Sequence, residues 1–177
     1  MRGRARAMAA RTLGENVAVF AALGYAHASR DGLEARLERE GGLPLVLRMT
    51  EQGRVFGGNF GLEVGTAEPV LPSTRGLRAR GRGVVRLTGI EFRPSDGDEA
   101  GAALARRLVA DPHLGAALRR VHFDRIRIDP DGRPVVRQMG GSVVWIMFPP
   151  LIRPVPLVPE QAAATVRALE AFAEVGI

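Results

Sequence analysis

The chain contains no cysteine and no lysine. The first absence excludes disulfides, thiolate metal sites and cysteine nucleophiles. The second excludes a Schiff-base lysine and the lysine of a Walker-type phosphate loop. All 25 basic residues are arginine. Histidine is scarce as well: His27, His113 and His122 are far apart, which argues against a histidine-rich metal centre. The four serines lie in no nucleophile context, and no GxSxG, HExxH, GxGxxG or Walker pattern occurs. Residues 74–87 contain no aromatic residue, whereas sheet-face RNA binders usually offer aromatic rings for stacking. No apolar run reaches the roughly 18 to 20 residues of a membrane span.

What remains is 177 residues with a formal charge of +6. That length suits a single domain over 1–177, large enough to bury a core. The positive charge suggests affinity for polyanions or acidic surfaces. At the N-terminus Arg2, Arg4 and Arg6 precede an apolar patch, Val17 to Leu23, and Ala26-His27-Ala28 has the small-x-small form of a cleavage site. Arg11, Glu15 and Asn16 interrupt the apolar region. The reading is therefore an ordinary first helix in a soluble cytoplasmic protein, with secretion through an N-terminal signal as the minor alternative.

The most informative stretch runs from Val121 to Pro159. Asp129-Pro130-Asp131-Gly132 has tight-turn composition: proline presets φ and glycine accepts a positive φ. Before it Phe123, Arg125 and Arg127 alternate with Ile126 and Ile128; after it Val135, Arg137 and Met139 alternate with Val136 and Gln138. Two alternating runs around a turn predict an antiparallel hairpin. Val143 to Phe148 is apolar at every position, which predicts a central strand covered on both faces and ended by Pro149-Pro150. Were it exposed, it would be a self-association or lipid-contact surface. Arg153 to Pro159 has the spacing of a proline-rich SH3 ligand, but reads better as an extended strap leading to the last helix.

Helical spacing of Leu13, Val17, Phe20 and Gly24 predicts a helix over residues 5–24. Tyr25 to Gly32 reads as a connector. Strands are expected from Leu33 to Arg39, around Leu45 to Met49, from Val55 to Val64 and from Leu77 to Phe92, the last broken near Gly81-Arg82-Gly83. Gly57, Gly58 and Gly61 mark a bulge or a close approach of backbone, or room that admits a ligand. Ser95 or Asp96 is the expected cap of a helix carrying Leu104 and Leu108. Asp111-Pro112 starts another helix, with Leu114 and Leu118. A final helix begins at Pro159. At an offset of 90, residues 33–49 align without a gap on 123–139, so the halves 5–64 and 97–150 suggest a duplicated helix-plus-meander unit. The expected class is α+β: an antiparallel sheet of about six or seven strands with helices on one face.

The motifs IEF (90–92), AALARRL (102–108), LRRVHF (118–123), the DG turn at 131–132 and FPP followed by PLVPEQ (148–161) resemble an uncharacterised bacterial family of unknown function. The resemblance covers roughly residues 85–161. It implies bacterial origin and transfers no activity.

Chemistry concentrates in TRGLRARGRGVVRL (74–87). On an extended strand Arg78, Arg80, Arg82 and Arg86 point one way, with Leu77, Ala79, Val85 and Leu87 opposite. Such a stripe, joined by Arg125 and Arg127, can bind phosphates or carboxylates through guanidinium forks. Its plain alternative is a solvated face paired to Glu34, Glu38 or Glu91. Ser95 to Glu99 holds three carboxylates, better explained by helix capping than by a cation. His122 and Asp124 resemble a general-base pair without a nucleophile. The expected function is a non-enzymatic module, a homodimer, binding a protein partner or an anionic ligand, with no catalytic residue, metal or cofactor. The alternatives are nucleic-acid or acidic-surface binding through the arginine stripe and an enzyme of unrecognised type.

Overall fold

The computed structural model describes residues 1–82 and 89–176, without the side chains of Arg54, Arg80 and Arg82. The first helix, α1 (Arg2–Ala21), buries Ala5, Ala9, Leu13 and Phe20, spaced by four, four and seven residues along one stripe. Four strands follow as a meander: β1 (Ala26–Asp31), β2 (Glu34–Glu38), β3 (Leu45–Arg54) and β4 (Gly57–Thr66). Each pairs antiparallel with the next. The segment read as a connector is thus a strand. Every residue of β1 is exposed, so no apolar alternation marks it.

β5 (Leu77–Arg82) and β6 (Gly89–Pro94) pair antiparallel, Leu77 against Pro94 and Arg82 against Gly89. The strand expected over Leu77 to Phe92 is thus two, and β5 ends at Arg82, within the expected break near Gly81-Arg82-Gly83. Val85, Arg86 and Leu87 lie outside the described residues. Next come α2 (Glu99–Ala110), α3 (Pro112–Leu118), β7 (Phe123–Ile128), β8 (Pro134–Gln138), β9 (Ser142–Ile146), β10 (Leu151–Val155) and α4 (Pro159–Gly176). β7 and β8 form the expected hairpin around the 129–132 turn. There Gly132 takes φ +88°, and a Cβ on it would strike the Leu71 carbonyl. The backbone N–H groups of Val70 and Leu71 donate to the Gly132 oxygen, so the turn also pins the 67–76 loop.

The sheet runs β1-β2-β3-β4-β8-β7-β5-β6. β4 is its axis: residues 63–65 pair with β8, and residues 57–60 pair with β9, which carries β10 on its far side. Ten strands are present among the described residues, more than the expected six or seven. The strap reading of 153–159 missed β10, because Pro154 and Pro156 obscure a strand pattern.

One face carries Leu37, Leu47, Leu62, Val64, Val136, Ile126, Leu77 and Phe92, and is buried beneath the helices. Phe92 meets Phe172 of α4 edge to face, ring centres 6.0 Å apart. The other face has no helix over it among the described residues. This corrects the reading of residues 143–148. Val143 and Trp145 are buried, but Val144, Ile146, Met147 and Phe148 are exposed. The run is apolar throughout, yet only its alternate residues reach the core.

The cap of α2 is Asp98, rather than Ser95 or Asp96. Its carboxylate accepts from the Gly101 N–H at 2.9 Å and from the Arg75 N–H at 2.8 Å. Those two backbone bonds, helped by the Arg75 charge, hold its pKa below the usual aspartate value. A depressed folded pKa stabilises the protein above the unfolded value near 4, and that contribution is lost as pH falls through the folded value. Asp98→Asn should therefore flatten the acid limb of a Tm-against-pH curve below about pH 4. Identical acid limbs in the two proteins would show that Asp98 is not involved.

Candidate functional site

On the open face, residues of neighbouring strands stand in rows across the sheet. In the register, Arg78 of β5 lies opposite Arg93 of β6 on one side and Arg127 of β7 on the other. Directly opposed residues of antiparallel strands have Cβ atoms about 5 Å apart, and like charges there repel. Three arginines thus stand abreast. They border a groove of about 630 Å³ that also takes in Arg75, Ser95, Asp96 and Asp129. Its lining thus holds four arginines and two aspartates.

The three differ in their partners. Arg93 Nε lies 3.2 Å from Glu91 Oε1. Arg127 is half-buried, bonded to Asp129 at 2.8 Å and to Glu63 at 3.0 Å. Burial disfavours its charge, but the two carboxylates outweigh that and raise its pKa above the ordinary arginine value. Arg78 is exposed and has no carboxylate partner among the described residues. Arg125 is also exposed and lies opposite Arg137. Arg80 and Arg82 occupy β5 positions opposite Glu91 and Gly89; their side chains, like all of Arg86, lie outside the described residues. The structure therefore brings Arg78 and Arg127 together, adds Arg93 and Arg75, and leaves Arg125 one row away.

Sequence reasoning missed Arg137. It is 4% exposed although it lies on the open face. Its guanidinium donates to Thr50 Oγ1 at 2.9 Å and Asn59 Oδ1 at 3.2 Å. It also sits 3.6 Å from Glu63 and 3.4 Å from Asp124. It lies flat over Gly61, where a Cβ would overlap it. The pairing of β3 with β4 shows no register shift, so Gly61 marks a close approach rather than a bulge, and by a side chain rather than a ligand. A glycine inside an alternating strand was the one available signal. Asp124 is thereby engaged with Arg137, while the exposed His122 is fixed through its backbone N–H on Gln161 Oε1, 2.7 Å away. Among the described residues no three His, Asp or Glu side chains gather as metal ligands.

A second groove, of about 650 Å³, opens at the far end of β4, between the β3–β4 turn (Val55-Phe56) and β9. Its floor includes Gly57, Gly58 and Trp145, whose Nε1 is buried without a hydrogen-bond partner. Among the described residues no helix is long and apolar enough to cross a membrane.

No curated protein and no solved structure matches the chain significantly. One family model, described as "Protein of unknown function (DUF3156)", matches residues 18–175, so the chain belongs to this family of unknown function, in agreement with the resemblance of residues 85–161.

Proposed function

We propose that the protein is a non-enzymatic binding module whose open sheet face takes a phosphate-bearing ligand in the groove beside Arg78. The observation that carries this is the row Arg93-Arg78-Arg127. Among the described residues its central member is exposed and without a carboxylate partner, and its neighbours are like-charged. An anion between them would relieve cross-strand repulsion and accept forked guanidinium bonds. Ser95 supplies a hydroxyl at the rim. The ligand phosphate can come from a small molecule or a nucleic-acid backbone. Among the described residues no aromatic ring lines the groove, so base stacking plays no part here.

Titration with pyrophosphate and with a random single-stranded oligonucleotide, each at two salt concentrations, tests this. Arg78→Ala should weaken binding about tenfold or more, the worth of one charge-assisted hydrogen bond. A small ligand would show in the pyrophosphate arm. A nucleic acid would bind only as the oligonucleotide, with affinity falling steeply as salt rises. Unchanged binding in Arg78→Ala, or no binding of either probe at low salt, would refute the proposal.

A further inference from the structure

We infer that the opposite end of the sheet is a docking surface for an anionic lipid bilayer. The β3–β4 turn (Val55-Phe56) and the β9–β10 turn (147–150) stand side by side there. Gly57 pairs with Ile146, and the Met147 N–H donates to the Phe56 carbonyl at 2.9 Å. Together they form one protruding apolar tip. Val55 is 82% exposed, Phe56 68% and Phe148 76%, with Ile146, Met147 and Leu151 each more than a third exposed. Of the seven phenylalanines, only Phe56 and Phe148 are exposed, and both are here. Monomeric proteins seldom leave so much contiguous apolar surface in water without a use for it.

The charge around the tip identifies its occupant. No acidic residue occurs between Asp131 and Glu160, a stretch that includes the whole β9–β10 turn. Arg153 is exposed on β10, opposite Val144. Arg54 ends β3 beside the turn. The start of α1 is fastened to this end by the bond of Arg2 to Glu51, 2.7 Å, three residues before Arg54. The first turn of α1 has no acidic residue and no side-chain cap. Arg2, Arg4 and Arg6 are all exposed there. Cations at the positive end of a helix dipole repel it. An apolar tip collared by arginine fits a bilayer that offers hydrocarbon below a plane of phosphates. A second copy fits poorly, since a twofold contact would set the arginine collar against itself. Eight residues of β4, about 26 Å at 3.3 Å each, separate Gly57 at the tip from Gly65, which shares a row with Arg127 through Val135. The two surfaces can therefore be tested independently.

The experiment is flotation with vesicles of equimolar phosphatidylcholine and phosphatidylglycerol, and with phosphatidylcholine vesicles alone. The protein should float with the anionic vesicles and much less with the neutral ones. Phe56→Ser/Phe148→Ser, checked for unaltered circular dichroism, should weaken binding on the order of a hundredfold. Arg4→Gln/Arg6→Gln should lose about fivefold per arginine, an effect that added salt removes. Arg78→Ala should float as the parent does, so failure of the groove reading would leave this result intact. Absence of flotation at low salt overturns the inference. So does flotation indifferent to the phenylalanines, which would be adsorption by net charge. A lipid-independent dimer abolished by the phenylalanine changes, without flotation, would assign the tip to a second copy and overturn it equally.

Discussion

Arg137→Ala is expected to lose about 3–5 kcal/mol of unfolding free energy, the range for removing one member of a buried ion pair. The substitution strips a guanidinium that is 4% exposed and leaves Glu63, itself 8% exposed, with one cation fewer. Thr50 Oγ1 and Asn59 Oδ1 lose their donor at the same time. Asp124 adds little, because its side chain is more than half exposed and solvent screens it. Against a typical total of about 5–15 kcal/mol, the loss is large. Chemical denaturation should show a lowered midpoint at unchanged slope. Arg137→Met should recover part of it by refilling the space over Gly61, while Glu63 keeps its nearer partner Arg127, 3.0 Å away. A loss below about 1 kcal/mol in Arg137→Ala would mean that water reaches the site and that Arg137 behaves as a surface residue.

Phe172→Ala should be comparably damaging, about 3–5 kcal/mol. Phe172 is fully buried and clasps α4 to β6 through its edge-to-face contact with Phe92. Removing it deletes apolar burial, opens a cavity and forfeits the ring pair. Phe56→Ala is the matched control. The same side chain, 68% exposed at the sheet tip, should change stability by no more than about 0.5 kcal/mol. Thermal and denaturant unfolding of the two variants side by side would check both values. If Phe56→Ala proved as destabilising as Phe172→Ala, the tip would be packed rather than exposed, and its availability to a bilayer would fall with it.

Legibility followed how local the cause was. The Asp129-Pro130-Asp131-Gly132 turn and its hairpin were readable because four adjacent residues fix the geometry. The caps and apolar stripes of α2 and α3 were readable to within a few residues, with Asp98 taking the role expected of Ser95 or Asp96. β1 was invisible because an edge strand exposed on every residue has no periodic burial to imprint on its sequence. β10 was hidden by its prolines. The aligned stretches 33–49 and 123–139 both fold as antiparallel hairpins, β2–β3 and β7–β8. The arginine stripe was legible only as an alternation along β5. That Arg78 would stand between Arg93 and Arg127 depends on register, and a slip of one residue would have turned it to the other face.

The sequence by itself determined the chemistry that is excluded, since a missing cysteine or lysine needs no fold to be missing. It also determined the local turns, the helix stripes and the α+β class, because these arise among residues close together in the chain. Tertiary structure alone decided which sheet face the helices cover. That choice made Val143 and Trp145 core while Val144, Ile146 and Phe148 became surface. It also buried Arg137 among partners as many as 87 residues away. Burial is a property of what packs against a residue, and those partners are brought together by chain topology and strand register, which a residue's own neighbourhood does not encode.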